Sequence, residues 1–243
     1  MLSHTVVHNL RSRFWLLILL LGASTNALCE DKNQHPDFSG LWMPSRGATF
    51  FPNPPPYTPW AKKLRDDFLA IYDVNLDDPR RFCVHPGMPS VMAGRAPFPL
   101  EVIQRDKDIT MFFEGYYQYR KIYIDGYDRP EPILGTRMGY SVGHWEGDTL
   151  VVKTTYLKER TRGADILSDQ AVIDERITME KDGEGNKMLV SKMTLTDPGA
   201  YTKKIEMMGK WRWSPDTPIM EYVCSETIYE EHLERIKAEK GIQ

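Results

Sequence analysis

From Leu100 to Cys224 the chain repeats one pattern: a short run rich in Val, Ile, Thr, Tyr, Phe and Trp, then a polar turn. The runs are Leu100–Gln104, Ile109–Glu114, Tyr116–Ile124, Tyr140–Trp145, Thr149–Tyr156, Val172–Glu180, Lys187–Leu195, Thr202–Trp213 and Glu221–Cys224. Such residues favour pleated, half-buried backbone. Between them stand Asp106-Lys107-Asp108, Asp125-Gly126, Glu146-Gly147-Asp148, Asp182 to Asn186 and Asp197-Pro198-Gly199, all of them turn formers. Many strands joined by short turns, with no helix between, predict an antiparallel meander that closes on itself. The expected fold is therefore mainly β: a single meander barrel, with one helix before the barrel strands and one at the C-terminus.

The flanking segments complete that reading. Asp37 to Met43 reads as an opening strand. Residues 44–59 are rich in proline, and Thr58-Pro59 is the N-cap and first residue of a helix within 44–75. Trp60, Leu64, Phe68 and Ile71 recur at helical spacing and are expected to pack on the core. Residues 226–240 predict a second, outer helix carrying Ile228, Leu233 and Ile236. No repeat or linker divides residues 98–224, so residues 28–243 are read as one domain.

Residues 1–27 read as an export signal: Arg11 and Arg13, the apolar run Phe14–Leu21, then Thr25-Asn26-Ala27. The apolar run is short for a membrane span, so no stable membrane insertion is expected after cleavage, and the location is periplasmic or secreted. Export makes disulfides the default for paired cysteines. Cys29 falls at the expected mature N-terminus, where chains fray, so Cys83 and Cys224 are expected to pair. A net charge of −3 gives no basic excess for nucleic acid. A mean hydropathy of −0.47 excludes a multi-span membrane protein. His35, His85, His144 and His232 stand at no metal-ligand spacing and no CxxC occurs, so no metal is expected. Neither a Gly-rich nucleotide loop, nor GxSxG, nor a haem motif is found, and no cofactor is expected.

Two runs resemble known families. Gly40-Leu41-Trp42 on an opening strand resembles the G-x-W of lipocalins and their relatives, which implies a Trp closing one barrel end and a Gly admitting a neighbouring group. Gly143 to Val152 (GHWEGDTLVV) looks like the signature of a large family of exported, mostly uncharacterised bacterial proteins. Cys83 with Pro86-Gly87-Met88-Pro89, Arg120 to Gly126, Glu175-Arg176, Asp197-Pro198 and Glu221 to Cys224 fit the same family. The resemblance implies a shared fold and export. Lys153 stands where members tend to carry an acid, and Leu167 where many carry His.

Alternation along Tyr116–Ile124 puts Tyr116, Gln118, Arg120, Ile122 and Ile124 on one face, and Tyr117, Tyr119, Lys121 and Tyr123 on the other. The first set suits a barrel interior. An interior Arg120 needs an acidic partner or an anionic ligand; Glu114, Asp165 and Glu175 are the candidates. Arg160 opens a charged connection of the kind that builds sites at barrel mouths. His144 is the strand-borne histidine that could move a proton. The expected function is binding of a small, largely apolar or amphipathic molecule in an internal pocket, through Arg120, Glu114, Tyr116 and Arg160. The alternative is a cofactor-independent isomerase, cyclase, lyase or hydratase using Glu175, Asp165 or His144.

Overall fold

The computed structural model describes residues 35–73, 78–94, 97–126, 134–160 and 166–239. Among these, nine strands close a barrel in sequence order. They are β1 (Gly40–Pro44), β2 (Leu100–Gln104), β3 (Asp108–Phe113), β4 (Gln118–Ile124), β5 (Tyr140–Glu146), β6 (Thr149–Thr155), β7 (Val172–Lys181), β8 (Lys187–Thr196) and β9 (Ile205–Trp213). Closure comes from β1 pairing with both β2 and β9. One pair departs from the expected meander: β4 and β5 run parallel, with Ile122 opposite Ser141 and Ile124 opposite Gly143. Asp125-Gly126 therefore starts no hairpin. The connection of residues 125–139 returns the chain to the end where β4 began, as any parallel neighbour requires. The expected strand at Glu221–Cys224 does not form either.

Alternation sorts each strand into an inner and an outer set. Leu100, Val102, Ile109, Met111, Ile122, Leu150, Val152, Ile173, Ile177, Leu189, Met193, Leu195 and Met207 fill the inside. Lys121, Lys153, Asp174, Arg176 and Lys192 stand on the outside. One end is closed by aromatics. Trp42 is fully buried and its indole N–H donates to the Phe38 carbonyl at 2.9 Å. Trp213 meets it edge-on at 5.0 Å, and Lys187 Nζ lies 4.4 Å from the centre of the Trp213 ring. Gly40, at φ +124°, is needed here, because a Cβ would lie 2.2 Å from the Trp213 ring.

The other end is entered by the chain itself. Residues 87–94 form a compact run of turns in which Gly87, Met88, Pro89, Val91, Met92 and Ala93 are buried. Inward-facing Trp211 donates its indole N–H to the Met92 carbonyl at 3.0 Å. Gly209, also inward, lies so close that a Cβ would stand 2.0 Å from that carbonyl oxygen. The run thus fills the barrel down to mid-height, where an internal pocket was expected.

Helix α1 (Pro59–Ile71) begins as read, with Thr58 Oγ1 accepting from the Ala61 N–H at 3.2 Å. Its aromatic stripe does not pack on the core. Ala61 is buried, whereas Trp60 is 42% and Ile71 74% exposed. The helix is held at its first turn, where Thr58 donates to the Gly199 carbonyl at 2.7 Å; beyond that turn its side chains face outward. Helix α2 (Ser225–Glu239) lies on the surface, with Leu233 41% exposed and Ile228 half-buried; the Ile236 side chain lies outside the described residues. Among the described residues no helix is long and apolar enough to cross a membrane.

Candidate functional site

The inner wall carries one polar belt among apolar neighbours. Alternation on β4 turns Arg120 inward, and strands β5 to β8 bring Ser141, Thr154, Glu175 and Ser191 to the same level. Arg120 Nη2 donates to Glu175 Oε2 at 2.6 Å and to Thr154 Oγ1 at 2.9 Å, and Nε donates to Ser141 Oγ at 3.1 Å. Ser191 Oγ donates to Glu175 Oε1 at 2.6 Å, so both carboxylate oxygens are engaged. Side chains of the ion pair are 1% and 0% exposed. Two charges so deep are tolerated because they meet in good geometry and their remaining polar atoms are mostly bonded.

One atom of the belt has no partner. Arg120 Nη1 is buried and makes no hydrogen bond. It lies on the edge of the guanidinium opposite the fork that serves Ser141, Thr154 and Glu175, facing away from β5–β7. A buried N–H of a charged group left unmade costs about 1–3 kcal/mol or more, so the vacancy calls for an acceptor.

Two residues up β4, on the same face, stands Gln118, whose amide donates to the Gly115 carbonyl at 3.0 Å and also faces His85. His85 begins the stretch that enters the barrel. Burial, together with the Arg137 and Arg160 charges, holds its pKa below the ordinary value, while Gln118 works against that fall. Arg137 Nη1 donates to the His85 carbonyl at 3.3 Å and Arg160 Nη2 to the Met88 carbonyl. His85 Nδ1 is buried without a hydrogen bond. Arg120, Gln118, His85, Arg137 and Arg160 therefore form a polar chamber between the belt and the barrel end.

Of the sequence candidates, Arg120, Glu175 and Arg160 come together in or beside this chamber. Glu114 and Tyr116 do not. Glu114 is buried but accepts from the Met220 N–H at 2.6 Å, pinning the segment after β9. Tyr116, at φ 63°, turns its ring out of the alternation and onto Tyr222, 4.8 Å between centres. His144 sits on the outer face, 56% exposed, 3.3 Å from Glu146, which also accepts from Arg176 at 2.9 Å. Arg176, then His144, holds the Glu146 carboxyl below its usual range. The surrounding GHWEGDTLVV run is the β5–β6 hairpin, with Gly147 at φ +58° in its turn. Asp165 lies outside the described residues. Lys153 pairs with Asp174 at 3.2 Å on the outer face, and Leu167 is fully buried, so neither departure from the family pattern falls in the chamber.

Cys83 and Cys224 are joined in a disulfide, their Cα atoms 5.7 Å apart. The bridge ties the turn preceding His85 to the strap that precedes α2. Sequence reasoning missed His85, Gln118 as a site residue, Arg137 and the inserted run 87–94. The signal available was Pro86 to Gly94 itself: apolar, rich in small residues and without strand or helix period. No family model matches the chain, and no curated protein matches it.

Proposed function

We propose that this protein is an exported barrel that binds a small molecule in the polar chamber, through the unpartnered edge of Arg120. The observation that carries the reading is Arg120 Nη1, buried and without an acceptor while every other nitrogen of that guanidinium is engaged. Buried polar groups in native proteins are nearly always paired, and an exception calls for a cause. The Trp-closed end supports the kinship to lipocalin-like barrels that we infer from Gly40-Leu41-Trp42, although the parallel β4–β5 pair departs from a simple meander. The leader at residues 1–27 and the disulfide support export. Acid–base catalysis by Glu175 is the weaker reading, because Arg120 and Ser191 occupy both its oxygens.

The test is native mass spectrometry of the chain isolated from its own cells, without organic extraction. A stoichiometric small-molecule adduct is expected. It should be absent from the double variant R120M/E175M, which removes the ion pair as a unit. An adduct that persists in that variant, or no adduct in the wild type, overturns the reading.

A further inference from the structure

Resting on the binding reading above, we infer that the chamber takes an organic monocarboxylate, one oxygen of which accepts from Arg120 Nη1. Three features choose this class. First, the open partner is a donor: Nη1 offers N–H groups only, so the ligand must present an acceptor. Second, the charges at this end are positive. Glu175 offsets Arg120 across a 2.6 Å contact, while Arg137 and Arg160 bond the backbone carbonyls of His85 and Met88 and act together on the His85 ring. Such a field favours an anion over its neutral isostere and rejects a cation. Third, only one edge of Arg120 is offered. A dianion such as phosphate, which is held by several charged donors at once, would find the fork already filled by Glu175, Thr154 and Ser141.

The same geometry couples the ligand to a proton. The groups facing His85 are Gln118 from β4, Arg137 from the segment before β5 and Arg160 from the segment after β6. A carboxylate arriving among them opposes the two arginine charges, so the imidazole becomes easier to protonate. By linkage, the ligand then binds more tightly as the pH falls through the histidine range.

The full chain should be titrated with hexanoate and, separately, with hexanamide, while the His85 ring is followed by NMR at several pH values. Hexanoate is expected to bind at least tenfold more tightly than hexanamide and to raise the His85 pKa. Both effects should vanish in R120M/E175M, whose thermal midpoint verifies that it is folded. Equal binding of acid and amide would overturn the carboxylate class and leave the binding reading standing. Binding of hexanoate that is unchanged in the double variant would place the acid elsewhere and overturn the assignment to Arg120. No shift with either probe at millimolar concentration, alongside a native adduct that is not an acid, would overturn the class. No shift and no adduct would reduce the vacancy to a structural water and overturn both readings.

Discussion

Arg120 and Glu175 carry the sharpest energetic expectation of any two residues in the chain. Each is buried to within a percent of completeness, and each is bonded mainly to the other. Removing one leaves an uncompensated charge, which costs about 3–5 kcal/mol, whereas removing both costs far less. Urea unfolding should therefore show R120M or E175M to be strongly destabilised and R120M/E175M to recover most of the loss. Additive single-variant losses would contradict a pair that acts as a unit. His85 makes a second prediction. Its pKa is depressed in the fold, so below about 6.5 the unfolded chain binds the proton that the folded chain refuses. Stability should fall as the pH drops from there towards the folded pKa and be insensitive to this group above that window. Comparing wild type with H85Q isolates the term, and identical pH profiles would remove His85 from a desolvated, cationic setting. Arg120 and Glu175 could be anticipated because alternation alone points them inward. The chamber around them could not, since His85 and Arg137 lie in segments without a period, and only the tertiary path of residues 84–94 brings them to β4.

The element that departs furthest from a plain barrel is the inserted run 87–94. Its placement rests on a carbonyl seated where Gly209 has no side chain. G209A should lose several kcal/mol, because a methyl there must move Met92 backbone rather than a flexible side-chain tip. A wild-type-like unfolding midpoint for G209A would mean that the run does not press on β9. The disulfide is the second tie. It spans a sequence separation of 141 residues, and the chain-entropy model values such a cross-link at about 4–5 kcal/mol, with strain reducing the yield. C83S/C224S should lower stability towards that size, measured by urea unfolding under non-reducing conditions; no loss would contradict a tie on the unfolded chain. Both cysteines were assignable from compartment and position. The stripe on α1 shows the opposite case. Helical spacing correctly gave the helix and its Thr58 cap, but the same pattern could not tell which face meets the barrel, and Ala61, the residue that does, carries no hydrophobic signal of its own.

For the molecule as a whole, period and turn chemistry were enough to expect β strands closing into a barrel, because each run alternates and each gap is short. They were not enough to orient β5. A parallel neighbour is decided by where residues 125–139 lead the chain, and the pattern within the strands is the same for either direction. Nor could alternation say what fills the inside, since an inward apolar residue looks alike whether it faces a ligand or the protein's own backbone. The resulting body is a barrel closed at one end by Trp42 and Trp213 and filled from the other by residues 87–94, with one charged donor inside lacking an acceptor. That donor is the centre of the functional account. It can be examined in crystals of the protein purified from its own cells in buffers free of carboxylic acids. The account predicts polyatomic density from a non-protein molecule, with an oxygen within about 2.7–3.2 Å of Arg120 Nη1. A lone water there, or a protein carbonyl closing the gap, would contradict it.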